Sequence, residues 1–145
     1  GSSASKEERL QAYVDEARAK GAQVVVVLSH NGMDVDLKLA GRVRGIDAIL
    51  GGHTHDGMPQ PVVVKNAGGR TLVTNAGSNG KFLGVLDMDV RGGKVREIRY
   101  RLLPVFSNLL PADRAMASYI SKLRAPHLSK LGENLATTSG LLYRR

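Results

Sequence analysis

The stretch from Gln23 to Leu50 constrains the fold of this chain more than any other part. Val24, Val25, Val26, Val27 and Leu28 form an unbroken β-branched and aliphatic run, and Ile46 to Leu50 (IDAIL) form a second apolar run. Continuous apolar strands of this kind, without alternating polar positions, are the style of a parallel sheet covered on both faces. The first run therefore reads as a strand buried on both sides. Between the runs, DVDLKLAGRVRG places Val35, Leu39 and Val43 roughly on one side of a short helix, which Gly41 weakens. Strand, helix and strand make a βαβ unit, whose crossover is expected to be right-handed.

The flanking segments extend this plan. Ser5 and Glu8 form a capping box, and Leu10, Tyr13, Val14 and Ala17 recur with helical spacing until Gly21 follows Lys20 as a stop. After the loop marked by Pro59 and Pro61, residues 62–65 and 70–74 read as paired strands around the turn sequence NAGG. Residues 82–90 and 94–103 flank RGG as a β-hairpin. Pro111 marks a helix start, Met116, Tyr119, Ile120 and Leu123 supply its apolar stripe, and Pro126 kinks or ends it. The expected class is α/β: a βαβ unit, then antiparallel strands, then a C-terminal linker helix. The expected division is a first unit over 1–110 and a linker helix with a stub over 111–145.

Composition narrows the functional classes. The chain has 145 residues, a length suited to one core. It has no cysteine, which excludes disulfides and thiolate metal ligands. No apolar run approaches the roughly 20 residues that span a bilayer, and the first ten residues lack the apolar core of a secretory signal. Gly1, Ser2 and Ser3 read as a cloning scar. The net charge of +8 arises entirely beyond residue 90: residues 1–90 hold ten basic and ten acidic side chains, residues 91–145 eleven and three. Such asymmetry can attract an acidic partner. With 4% aromatic residues, no Trp and no nucleic-acid-binding motif, it reads instead as a face turned towards another domain, with neither nucleic acid nor membrane as partner.

Three of the four histidines fall at one kind of place. His30 stands two residues after the first apolar run, and His53 and His55 stand just after the second, within ILGGHTHDG. Ligands of open α/β sheets bind outside the carboxyl ends of the parallel strands. Neighbouring strands would bring the three imidazoles to one sheet edge, where neutral imidazole is a common ligand for divalent metals. Gly51 and Gly52 free the backbone for the turn. Asp34, Asp36 and Asp56 lie nearby and could orient the ligands from behind, with Asn31 and Asp56 as the leading candidates. His127, after Pro126, reads as a surface residue. The glycines of NAGSNG (75–80) could cradle an anion, although such a loop is more often a plain turn. Three imidazoles do not complete a two-metal hydrolytic site, which also needs carboxylates, and neither a D-x-H block nor an H-x-H-x-D-H block is present.

At these residues the chain resembles a known family. LSHNG followed by GIDAILGGHTHDG is similar to the last two motif blocks of the calcineurin-like dinuclear metallophosphatases of the 5′-nucleotidase type, and TNAGSNGKFLGVLDMDV is similar to the strands that close their catalytic domain. LSHNGMDVDLKLA, GGHTHDGMPQPV and LLPVFSN resemble more closely the SoxB branch, the thiosulfohydrolases of bacterial sulfur oxidation. The likeness covers nearly the whole chain. It implies the second half of a catalytic αββα sandwich, with the D-x-H block, the bridging Asp and the Asn-His segment on chain that is not here. It implies that His30 and His53 bind one metal of a pair and His55 the other, that the ions are two divalent cations of manganese, and that the compartment is the periplasm. The implied reaction is hydrolysis of a thiosulfonate on a cysteine of a Sox sulfur-carrier protein, with release of sulfate. The implied partners are that carrier and the missing N-terminal half. The piece alone is expected to be inactive. Two other readings stand beside this one: part of a 5′-nucleotidase-type phosphoesterase, and a non-enzymatic module that binds through the basic face of 91–145.

Overall fold

The computed structural model describes residues 6–142, so Ser5 of the expected capping box and the last residues of GLLYRR lie outside the described part. The chain divides into two compact units, residues 1–106 and 107–145. Among the described residues no helix is long and apolar enough to cross a membrane.

The first unit begins with helix α1 (Lys6–Ala19), which ends before Gly21 at φ 95°. Strand β1 (Val26–Leu28), helix α2 (Met33–Arg42) and strand β2 (Ala48–Gly51) follow, and β1 and β2 pair in parallel with Leu28 opposite Leu50. This is the expected βαβ unit. Strands β3 (Val62–Asn66) and β4 (Gly69–Asn75) form the expected antiparallel pair around the NAGG turn. Strand β4 lies parallel to β2, giving the sheet order β1-β2-β4-β3. Strands β5 (Phe82–Arg91) and β6 (Lys94–Pro104) form a separate hairpin, with a register irregularity between Asp89 and Val90.

One face of the four-stranded sheet is well filled. Val14 of α1, Leu39 and Ala40 of α2, Val43, Ile46, Ile49 and Val73 are all buried there. Gly41 sits inside α2, where a Cβ would make ordinary contact with Val64 at 3.8 Å, so the packing against β3 does not itself require glycine. Arg18 fastens α1 to the sheet. Its guanidinium donates to the carbonyls of Ala22, Gln23 and Gly45 and to Asp47 Oδ2 at 2.6 Å, and Asp47 Oδ2 also accepts from the Val25 amide at 2.8 Å.

The other face corrects one expectation. Strand β1 is not buried on both sides: Val26 is 42% and Leu28 81% exposed, while Val25 and Val27 pack on the core. The physical reason is position. Strand β1 is an edge of the sheet, and nothing among the described residues of the first unit covers its second face. The hairpin approaches that face only farther along, where Ile98 joins Val63 and Leu72 around a gap of about 80 Å³.

The second unit contains helix α3 (Arg114–Arg124), a 3₁₀ turn at Ala125–His127 and a single turn α4 (Leu128–Leu131). The helix starts three residues later than Pro111 suggests. Asp113 is its N-cap, accepting from the Met116 amide at 2.7 Å, and a side-chain cap fixes a helix start more firmly than an upstream proline. Pro126 does end the α-helix, as expected.

Candidate metal centre

The two strand ends of the βαβ unit deliver two histidines to one place. The Ser29 amide still donates to the Leu50 carbonyl at 3.0 Å, which carries the β1–β2 pairing one residue past the strand. His30 comes next. On the neighbouring strand, Gly51 and Gly52 lead to His53. The two imidazole rings meet edge to face, with centroids 5.2 Å apart and planes at 70°. Gly52 makes room for this, since a Cβ there would come within 3.1 Å of His30 Nδ1.

The backbone of the second loop is strained in an ordered way. The Thr54 amide donates to the Gly52 carbonyl at 2.9 Å, closing a γ-turn centred on His53. His53 has φ 71° and His55 φ 59°, both in the left-handed region that favours glycine. A γ-turn with positive φ at its centre is the rarer and costlier form. Two such residues in one short loop persist only where the surroundings hold them, and those surroundings are visible. The Thr54 hydroxyl accepts from the Met33 amide at 3.3 Å and donates to Asp56 Oδ2. It thereby caps α2, whose own N-cap Gly32 offers no side chain. Farther on, the Gly77 amide donates to the Asp56 carbonyl at 2.8 Å, the Met58 amide to the Asn75 carbonyl at 2.9 Å, and Gly57 bridges Ala76. The Phe82 ring lies against Gly57 and Gly77, where Cβ atoms would stand 3.2 and 3.0 Å from it.

The donor set suits a divalent ion in part. An imidazole nitrogen about 2.1 Å from an ion leaves its ring centroid about 3.2 Å away, so two rings on one ion stand about 5 Å apart at a near-tetrahedral angle. His30 and His53 have that separation, and among the described residues no hydrogen bond engages either ring. His55 is not brought into this pair, and among the described residues no three His, Asp or Glu side chains converge as an ion site. The expected orienting residues bond side-chain hydroxyls instead of imidazoles: Asn31 donates to Ser29 Oγ at 2.9 Å, Asp36 accepts from Ser29 Oγ, and Asp56 accepts from Thr54. Asp34 is exposed. His127 lies in the second unit.

Two residues around the centre escaped the sequence reading, and a third, Asp36, was read as a possible orienter without its burial. Thr54 gave no signal beyond being a loop threonine. Asn75 is buried at 1% exposure, with its side chain accepting from Gly77. Asp36 is wholly buried. A signal for Asp36 did exist: with Leu39, Ala40 and Val43 it completes the i, i+3, i+4, i+7 stripe of α2, an acid at a core position. The cleft of about 450 Å³ in this unit is elsewhere. It is lined by Arg18, Gln23, Asp47, Arg70, Lys94 and Ile98, with Gln23 and Asp47 at the amino ends of the parallel strands.

No protein-family profile matches the chain. Sulfate thiohydrolase SoxB of Thermus thermophilus is 44% identical, with a TM-score of 0.79 over 87% of this chain and 22% of that one. The 5′-nucleotidase precursor of Thermus thermophilus is 31% identical, with a TM-score of 0.82 over 92% of this chain and 29% of that one. Human 5′-nucleotidase is 29% identical over 131 residues, 79% of this chain and 22% of its own length. The chain thus spans between about a fifth and a third of the length of these three proteins. In sequence and in its mixed α/β fold, it is a relative of the calcineurin-like metallophosphatases of the 5′-nucleotidase type, SoxB among them.

Proposed function

We propose that this chain is part of a two-metal hydrolase, and that the parent is a thiosulfohydrolase. The observation that carries the metal reading is the His30–His53 ring pair at the ends of adjacent parallel strands. The branch assignment rests on the 44% identity to SoxB over 87% of the chain, against 31% and 29% for the two 5′-nucleotidases compared above. His30 and His53 would hold one divalent ion and His55 would reach a second, with manganese as the metal. When bound, such ions supply positive charge to substrate oxygens and make a water more acidic. What this chain's residues do is hold and aim. The γ-turn fixes the His53 ring, Gly52 admits the His30 ring beside it, and Thr54 locks the loop to the start of α2.

The substrate is a thiosulfonate on a cysteine of a sulfur-carrier protein. Water adds its oxygen to the sulfonate sulfur, the sulfur–sulfur bond breaks, and the carrier sulfur leaves with the bonding pair and takes up a proton. Sulfate is the other product. The compartment is the periplasm. A further partner is the other half of the catalytic domain, which brings the carboxylates; the bare edge and exposed Val26 and Leu28 of β1 suit such a neighbour. The 145-residue chain alone hydrolyses nothing.

Two assays test this reading. The isolated chain, incubated with Mn²⁺ and either S-sulfocysteine or AMP, is expected to turn over neither; rapid turnover of either would refute the division of the site. The parent protein is expected to release sulfate from a carrier-bound thiosulfonate and to leave AMP intact. The reverse preference would assign it to the phosphoesterases, the alternative that the nucleotidase similarity keeps in view.

A further inference from the structure

We infer that Asp36 is a positioning residue for the histidine pair, tying the loop that carries His30 to the loop that carries His53; this rests on the metal-centre reading above. The side chain is wholly buried on α2, beneath the ends of β1 and β2. Its Oδ1 accepts from the Ser29 hydroxyl at 2.5 Å. That hydroxyl in turn accepts from the Asn31 amide at 3.3 Å and from Asn31 Nδ2 at 2.9 Å. One donated and two accepted bonds exhaust what a serine hydroxyl can make. The backbone on both sides of His30 is therefore pinned through one oxygen that Asp36 anchors.

The second carboxylate oxygen faces the other loop. Asp36 Oδ2 is buried without a hydrogen-bond partner, and a Cβ built on Gly51 would lie 2.8 Å from it. The Asn75 amide flanks the same point, with Nδ2 at 3.9 Å from that Cβ and a long 3.4 Å bond to the Gly52 carbonyl. Gly51 and Gly52 are the two residues before His53. The carboxylate can touch both approaches only because position 51 carries no side chain. A leucine would fill this stripe of α2 without leaving a buried oxygen unpaired, so the acid lowers stability where it stands. Features that lower stability locally gather at functional sites.

The test reads ring placement and ion affinity separately, on the 145-residue chain. Ser29→Ala removes the donor to Asp36, Gly51→Ala intrudes on Oδ2, and Ser29→Thr keeps the hydroxyl. The first readout is the nuclear Overhauser effect between the His30 and His53 rings, which needs no metal. The second is the Mn²⁺ affinity. Ser29→Ala and Gly51→Ala are expected to lose the ring-to-ring effect and to bind Mn²⁺ about 10–100-fold more weakly, while Ser29→Thr retains both. If the two alanine variants melt earlier but keep the ring contact and the native affinity, Asp36 is a packing residue only and the inference fails. It fails equally if the native chain shows no ring contact. His30→Ala separates the two readings: Mn²⁺ binding unchanged by its loss would sink the metal centre, and the ring contact would still judge the positioning.

Discussion

At the residue scale, the most informative positions are those where side chain and backbone want different things. His53 holds φ 71° at the centre of a γ-turn, a conformation that glycine adopts without cost and a β-carbon does not. Replacing it tests whether the imidazole is kept for chemistry or for stability. His53→Gly is expected to unfold in urea at least as late as the native chain, and His53→Ala to be less stable than His53→Gly by about 1 kcal/mol. Both should lose Mn²⁺ binding in isothermal titration. A glycine variant markedly less stable than the native chain would mean that the ring itself holds the loop. The histidines were legible in the sequence because their position after apolar runs is a one-dimensional fact. That His30 and His53 meet while His55 stands apart was not legible from spacing alone, only implied by the family resemblance, because it depends on left-handed backbone at both His53 and His55. Asp36 was half legible: its place in the apolar stripe of α2 is written in the sequence, but its contact with Gly51 exists only once β2 lies alongside.

At the element scale, local signals were read well where chemistry is local. The NAGG and RGG turns, the helix stop at Gly21 and the break at Pro126 all rest on the intrinsic geometry of glycine and proline. Pro111 is not the start of α3, because the Asp113 carboxylate two residues on makes the actual cap. Asp113→Ala should remove about 1 kcal/mol of helix stability, seen as a loss of helical chemical shifts over 114–118 with β5 and β6 unchanged. A stronger dependence is expected at Arg18, which joins the end of α1 to three carbonyls and to Asp47. Arg18→Leu keeps the apolar stem and deletes these bonds, so it should cost about 2–3 kcal/mol in chemical denaturation, since hydrogen bonds to a charged group are the stronger kind. A change below about 0.5 kcal/mol would place Arg18 among ordinary surface ion pairs.

At the scale of the whole molecule, the sheet is finished on one face and open on the other. The apolar run of β1 correctly announced a strand of the parallel type, but the inference that both faces are covered here failed, because coverage is a property of neighbours and not of the strand. An edge strand with exposed Val26 and Leu28 and no charge on that face lacks the usual safeguards against pairing with another chain. The isolated chain should therefore self-associate with rising concentration, and Leu28→Lys should shift sedimentation towards the monomer. Identical sedimentation of the two would show that the edge is inert.

The same open margin has a practical side. An extended peptide with alternating apolar residues could add itself to β1 as a fifth strand, the way peptides complete a sheet in strand-addition complexes. Since His30 sits two residues beyond that strand, whatever zips onto the margin arrives at the imidazoles as it docks. On the reading proposed above, a split version of the parent would then report its own reassembly: hydrolytically silent as separate pieces, and active only when the two polypeptides have found each other.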